Sequence, residues 1–393
     1  MLSHSLSPLL WTAVGVIAGP LCLYVIFLGL GSTPYFQRHF LYAHRINTLW
    51  WRGINEPERF GFANGQATPF FLKTPDGESI YTWHITPLPL YLQHEDRLAG
   101  QPRGVSEDFT SSESLKLLKE DPNAKVVIEL HGNAGDIAQG CRPDSYHALT
   151  DTSPYHVFAI DYRGYGHSSG TPSEHGLIQD AATVIDFVIK TAGVPSNRIV
   201  LLGQSLGTAV ASGVSEHYAA EGIEFAGIVL VAGFSTLPKM LSGYRIGGIF
   251  PVFGPFARFP PLVRLLERCI YDKWHSVDRL ERLVGLTKKR LRLMLVAAKD
   301  DADIPCTESN KLFQAAAKAA LKLDLDDKAF DVWKAERTLH KQKDAFVATL
   351  KIDQPDIIIR QEQFPYGGHN NIMGYSPMIL AVLRCFDAEG TTA

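Results

Sequence analysis

Arg198-Ile199-Val200-Leu201-Leu202-Gly203-Gln204-Ser205-Leu206-Gly207-Thr208 is the stretch that decides the fold of this chain. Ile199–Leu202 is continuously apolar, as expected of a strand buried on both faces, and Gly203 ends it abruptly. Thr208-Ala209-Val210-Ala211 then opens a helix. Ser205 thus sits at a strand–turn–helix corner inside a G-x-S-x-G frame, the setting that lifts a serine hydroxyl clear of a sheet. So tight a turn has no room for a Cβ at Gly203 or Gly207. The corner puts the Leu206 amide at a helix N-terminus, where it can meet an oxyanion. Five residues alone are a weak pattern, because an ordinary glycine-rich strand–helix loop has the same composition. The rest of the chain must supply partners for Ser205.

A serine hydroxyl needs a base to remove its proton, and the base needs an orienting acid. In this kind of sheet the acid and then the histidine follow the serine. The apolar run Leu291–Ala297 ends in Ala298-Lys299-Asp300-Asp301-Ala302-Asp303-Ile304-Pro305, and Pro365-Tyr366-Gly367-Gly368-His369-Asn370 follows the last strand. Among the histidines after Ser205, His217 falls inside the elbow helix, and His275 and His340 in or near polar helical stretches. His369, in a glycine-flanked loop past a strand end, is the expected base. Three aspartates share the acid's loop. Spacing to Pro305 favours Asp301, with Asp300 next and Asp303 expected to face the loop exterior or cap the next element. Upstream, the strand Lys125–Leu130 ends in His131-Gly132-Asn133-Ala134-Gly135-Asp136. There His131 is expected to brace the loop, while the amide of Asn133, after Gly132, faces the oxyanion. Asp136, Arg163 and Tyr165 are expected either to shape the mouth of the site or, for Asp161 and Arg163, to form a buried network holding the loops.

Around these motifs runs a repeated strand–loop–helix pattern. His156–Ile160 leads into Asp161-Tyr162-Arg163-Gly164-Tyr165-Gly166, a helix is expected over 174–191, and further strands over Phe225–Val231 and Asp356–Arg360. Continuously apolar strands alternating with helices predict an α/β fold with a mostly parallel central sheet covered on both faces. Chemistry in such sheets sits at the carboxyl ends of strands, where the residues above fall. Thr68–Thr74 and Glu78–Thr86, around Pro75-Asp76-Gly77, read as a hairpin. The Pro-, Gly- and Ser-rich stretch 87–122 reads as an insertion, partly disordered, with a short helix in Ser111–Glu120. Residues 235–290, rich in Phe, Leu and Ile, read as a lid carrying an apolar acyl pocket. The charged stretch 323–354 reads as a peripheral helical insertion.

Pro8–Leu30 carries no charge and would extend about 35 Å as a helix, enough to cross a bilayer. No basic residue precedes it and the apolar run exceeds a signal-peptide core, so a retained transmembrane anchor is expected. Arg38, Arg45 and Arg52 follow it, which by charge bias points the rest of the chain to the cytoplasmic side, and the membrane expected is that of the endoplasmic reticulum or another endomembrane. Residues 31–67 are expected to lie as an amphipathic segment near the headgroups, with 68–393 forming the main domain. The chain has 393 residues, 46% hydrophobic and 20% charged, with a formal net charge of -3. These are globular values, and nothing supports nucleic-acid binding. The five cysteines form neither a CxxC unit nor a metal-ligand spacing. No cofactor, metal or obligatory protein partner is expected.

With these motifs in hand, the sequence resembles the serine hydrolases of the α/β-hydrolase superfamily, and within it the membrane-associated ABHD12-like and BEM46-like hydrolases. The resemblance rests on the apolar N-terminal span, His131–Asp136, Asp161–Gly170, Gly203–Ala211, Asp300–Pro305 and Gly368-His369-Asn370. It implies Ser205 as nucleophile, with Gly203, Gln204 and Gly207 shaping its elbow. It implies Asp301 as acid and His369 as base, and Leu206 and Asn133 as oxyanion amides. His131, Gly132, Asp161 and Arg163 fall in supporting loops. The implied activity is hydrolysis of a lipid ester of the monoacylglycerol or lysophospholipid type. Acyl-protein or acyl-CoA thioesterase activity, and hydrolysis of small soluble esters or amides, are alternatives. A non-catalytic hydrolase-fold scaffold would be expected to lack one of the three site residues.

Overall fold

The computed structural model describes residues 8–48, 51–243, 245–246, 250–251, 258–322 and 325–387. Its strands are β1 (Ala67–Lys73), β2 (Ser79–Ile85), β3 (Lys125–Leu130), β4 (Tyr155–Ile160), β5 (Ile199–Gln204) and β6 (Gly227–Val231). They continue as β7 (Arg245–Ile246), β8 (Phe250–Pro251), β9 (Arg290–Ala298), β10 (Thr338–Gln342), β11 (Ala345–Ile352) and β12 (Asp356–Phe364). Ten of them form one sheet in the order β1-β2-β4-β3-β5-β6-β9-β12-β11-β10, and β7 pairs only with β8. From β4 to β12 the neighbours run parallel, while β1, β2, β11 and β10 are antiparallel at the two edges.

Strand alternation divides the core into two layers. Val127, in register with Val157 and Val200, faces one layer, while Val126, Ile128 and Leu130 face the other with Leu201 and Leu230. Burying each of these side chains contributes about 1.5–3 kcal/mol. β5 lies near the middle of the sheet, so the corner after it is anchored on both sides by hydrogen-bonded neighbours. The elbow helix Leu206–Ala220 is almost wholly buried, packed against the helices Glu174–Asp186 and Ser276–Leu286.

Several stretches differ from the sequence expectations. The segment 87–122 is folded: helices Leu88–Gln93, Glu95–Ala99 and Glu113–Glu120 cover the sheet edge, burying Leu98, Phe109, Leu115 and Leu118. Polar composition hid a few well-spaced apolar anchors. The stretch 323–354 is helical only over Asp327–Glu336, then runs as β10 and β11 and lengthens the sheet. Ser276–Leu286, placed with the lid, is instead the crossover helix between the adjacent strands β6 and β9. Of the rest of the stretch read as a lid, the described residues form Leu237–Gly243, the antiparallel β7–β8 pair and the helix Pro260–Cys269. Tyr244, Ile249, Val252, Phe253 and Phe256, which contribute to the apolar character of 235–290, lie outside the described residues.

At the N-terminus a helix runs Pro8–Gly31, and Thr33 caps a second, Pro34–Tyr42. Among the described residues no single helix is long and apolar enough to cross a membrane. Ala18–Gly31 and Pro34–Tyr42 together are, with a bend of 100° between them. Val16, Leu21, Leu23, Val25 and Ile26 are exposed along the first helix. The segment after it does not simply lie on a surface. Tyr42 is buried, donating its hydroxyl to Asp272 at 2.8 Å, whereas Tyr35 and Trp51 are exposed.

Candidate active site

Ser205 adopts φ 53°, ψ -118°, a backbone state that costs a non-glycine residue about 1–3 kcal/mol and persists only under constraint. The constraint is visible. Its N–H donates to Val231 O at 2.9 Å, and its carbonyl accepts from the Thr208 amide at 3.0 Å and the Thr208 hydroxyl at 2.6 Å. A Cβ on Gly203 would overlap the Gly207 carbonyl, and one on Gly207 would overlap the Leu130 carbonyl. Both glycines are therefore required by close backbone approach. A Cβ on Gly132 would meet that of Ser205 at 3.2 Å, so the loop after β3 presses directly on the elbow.

Ser205 lies at the base of a cavity of about 410 Å3 that is also lined by Leu206, Asn133, Gln204 and His369. The loop after β12 reaches it through two left-handed glycines, Gly367 (φ 134°) and Gly368 (φ 54°). His369 Nδ1 is 2.8 Å from Asp301 Oδ2. The other oxygen of Asp301 accepts the amides of Asp303 and Ile304 at 2.9 and 2.8 Å, and the carboxylate is almost fully buried. Asp300 does a different job, accepting the Gly368 amide at 2.7 Å and so pinning the histidine's loop. Gln204 ties the same loop to the elbow, donating from Nε2 to His369 O and Asn370 Oδ1, both at 3.0 Å. Asp303 neither faces the loop exterior nor caps the next helix, whose N-cap position is Cys306. It lines the cavity, because the turn made by Asp301 and its two amides swings it inward. Asp301, Asp303 and His369 offer three ligand atoms within 4.8 Å of one another, so this is where a metal could be held. The 2.8 Å His369–Asp301 contact already engages two of those atoms in a hydrogen bond.

The loop 131–136 is organised by a residue the sequence reading did not single out. Arg142, buried, donates to the carbonyls of Gly132 (3.0 Å), Asn133 (3.1 Å), Ala134 (2.8 Å) and Asp136. Gathering these carbonyls on one cation turns their peptide planes together, as a loop presenting amides to an anion requires. The Ala134 and Gly135 amides are engaged by Tyr42 O and Ile46 O, at 3.3 and 2.8 Å, so neither is available to an oxyanion. Asn133 also donates from Nδ2 to Leu41 O at 2.6 Å and accepts from the Tyr165 hydroxyl at 3.0 Å. The segment 41–46 thus fixes the loop from outside. Nothing in its sequence, Leu41-Tyr42-Ala43-His44-Arg45-Ile46, separates it from an ordinary surface segment.

His131 is buried, with Nδ1 2.6 Å from Gly132 O, and burial, reinforced by Arg142, holds it well below the ordinary imidazole range. Burial, reinforced by Asp136, pushes the Asp161 carboxyl well above its usual range. Burial thus works against charge on both groups, whose side chains approach to 3.6 Å. The expected Asp161–Arg163 network is not formed. Arg163 instead binds Asp180 (2.8 Å) and Asp76 (2.7 Å), joining the helix after β4 to the β1–β2 turn, because those two carboxylates lie on its side of the loop. A larger recess of about 890 Å3 lies beside β1, lined by Arg97, Arg103, Glu107 and Glu113, and includes none of the residues gathered around Ser205.

The family described as alpha/beta hydrolase matches residues 126–373, and the chain belongs to that family. Within it the chain is 25% identical over 288 residues to the lysophosphatidylserine lipase ABHD12 of Xenopus tropicalis, covering 73% of this chain and 67% of the relative. It is 27% identical over 250 residues to protein ABHD12B of Homo sapiens, covering 64% and 62%. The chain thus spans about two thirds of the length of these curated relatives. A solved alpha-beta hydrolase from Vibrio vulnificus superposes with a TM-score of 0.50 at 18% identity, covering 77% of this chain and 91% of that one, and shares the fold.

Proposed function

We propose that this protein is a membrane-anchored serine hydrolase that cleaves carboxylic esters of lipids, of the monoacylglycerol or lysophospholipid type, through an acyl-serine on Ser205. The observation that carries the reading is the convergence of a strained Ser205 and a hydrogen-bonded His369–Asp301 pair on one cavity. Apolar walls from the lid (Leu237, Met240, Leu241) and the N-terminal segment (Phe40, Leu41) support a lipid rather than a small polar substrate. The lysophosphatidylserine lipase activity of the ABHD12 relatives supports the same class.

In this mechanism His369, held in the productive tautomer by Asp301, takes the proton of Ser205 as Oγ attacks the ester carbonyl. The amides of Leu206 and Asn133 receive the oxyanion, each worth roughly 3 kcal/mol of transition-state stabilisation. The carbon–oxygen bond to the alcohol breaks, and the alcohol leaves with the proton from His369. Water, deprotonated by the same histidine, then releases the acid and regenerates Ser205. Residues 8–31, which expose Val16, Leu21, Leu23, Val25 and Ile26, serve as the membrane anchor.

The test is a substrate profile of the full chain and Ser205→Ala across monoacylglycerols, lysophospholipids, acyl thioesters and short soluble esters. The reading predicts turnover of the long-chain glycerol esters, lost in Ser205→Ala. Turnover confined to short soluble esters, or surviving in Ser205→Ala, would contradict it.

A further inference from the structure

Beside the Ser205 cavity lies a second one of about 140 Å3, between the two N-terminal helices and the lid helix Pro260–Cys269. Phe40, Leu41 and Leu241 line both, so the two spaces share a wall of three side chains. Phe40 is the hub of an aromatic cluster, its ring centroid 5.3 Å from that of Phe27 and 5.6 Å from that of Phe36. The polarity changes along this line. The Ser205 cavity holds Asp303, Arg142 and the histidine, whereas Phe27, Leu28, Phe36, Leu265 and Ile270 make the outer one apolar. Beyond it the first helix presents Val25, Ile26 and Leu30 to the outside.

Resting on the lipid-esterase reading above, we infer that the outer cavity is a distal acyl-chain subsite. The acyl chain bound at Ser205 passes Phe40 and Leu241 and ends between the N-terminal helices and the lid helix. The N-terminal segment is then part of the substrate site as well as an anchor, and it opens that site sideways toward the lipid phase. A headgroup stays at the polar end, beside Asp303 and Arg142, while methylenes go where the polar side chains on the wall, Ser32 and Gln37, are already hydrogen-bonded to backbone carbonyls. Chain length is set by how far the outer cavity can be filled.

Gly31 provides a clean test. It lines the outer cavity, closes the first helix, and a Cβ built on it meets nothing within 4 Å. Gly31→Phe therefore places a ring at the wall of the subsite without a backbone clash. Gly29→Phe adds the same ring to the same helix, at a position that also meets nothing within 4 Å and does not line the cavity. The kcat/KM of the full chain is measured in mixed micelles for p-nitrophenyl butanoate and p-nitrophenyl palmitate. One methylene in an apolar pocket is worth about tenfold or more, so Gly31→Phe is expected to lower the palmitate-to-butanoate ratio at least about tenfold. Butanoate turnover and both Gly29→Phe values should stay within about twofold of wild type. An unchanged ratio in Gly31→Phe, or an equal fall in both variants, overturns the subsite while leaving the esterase reading standing. Wild-type protein inert toward both esters, or Ser205→Ala as active as wild type, overturns the esterase reading and the subsite with it.

Discussion

Asp301→Asn is the substitution whose consequence follows most directly from the geometry. Asp301 Oδ1 accepts two backbone amides, from Asp303 and Ile304, and these donors demand an oxygen on that side. An asparagine must therefore keep its carbonyl oxygen there and turn its NH2 toward His369 Nδ1, 2.8 Å from the position of Oδ2. That NH2 can donate only to an unprotonated Nδ1, so the ring proton moves to Nε2, and the histidine can no longer take a proton from Ser205. The same change in a Ser-His-Asp enzyme costs about ten-thousand-fold in kcat, which is ~5 kcal/mol of barrier. Asp300→Asn is the matched comparison. Its amide oxygen still accepts the Gly368 N–H, and only the charge assistance is lost, about 1 kcal/mol or less than tenfold. The assay is kcat on p-nitrophenyl butanoate, with thermal unfolding of each variant to show that the loop remains folded. If Asp300→Asn loses as much as Asp301→Asn, or Asp301→Asn stays within tenfold of wild type, the assignment of the acid fails.

Two further outcomes follow from buried groups around the site. Arg142→Met removes the cation that gathers four loop carbonyls, so kcat should fall by about a hundredfold as an oxyanion amide is misplaced, with KM little changed. Arg142→Lys should recover part of the loss, and a normal kcat in Arg142→Met would show that the loop holds itself. Burial pushes Glu129, hydrogen-bonded to Ser145, up to about 8. The folded protein therefore keeps this proton where the unfolded chain has lost it. Stability falls by about 1.4 kcal/mol per pH unit between the unfolded pKa of about 4.3 and the folded value. Glu129→Gln should remove that slope, raising the melting temperature at pH 8 relative to wild type with the gain shrinking toward pH 5. A gain equal at both pH values would contradict the assignment.

The parallel sheet, and the strand-end positions of Ser205, Asp301 and His369, were legible because each is a local pattern. A continuously apolar strand, a glycine-bounded turn and a polar residue at the strand end all lie within a dozen neighbours. Gly203 and Gly207 could be read because the missing Cβ answers to a backbone contact only one turn away. The features that were not legible depend on which groups meet in three dimensions rather than on spacing along the chain. Arg142 and segment 41–46 act on loop 131–136 through contacts that no local spacing encodes. Arg163 pairs with Asp180 and Asp76 rather than its near neighbour Asp161, for the same reason. The edge strands β10 and β11 were missed because an exposed, charged hairpin reads like a helix when only one face alternates. The inward turn of Asp303 depended on how its neighbour Asp301 satisfied two amides, which composition cannot state.

The central claim is that Ser205 is the nucleophile. A fluorophosphonate probe tests it on the full chain in membranes, because it reacts with an activated serine hydroxyl independently of which ester the protein prefers. The account predicts a single labelled serine, Ser205, in wild type and no labelling in Ser205→Ala, whose melting temperature should match wild type. Labelling that persists in Ser205→Ala, or a wild-type protein that the probe leaves unmodified, would contradict it.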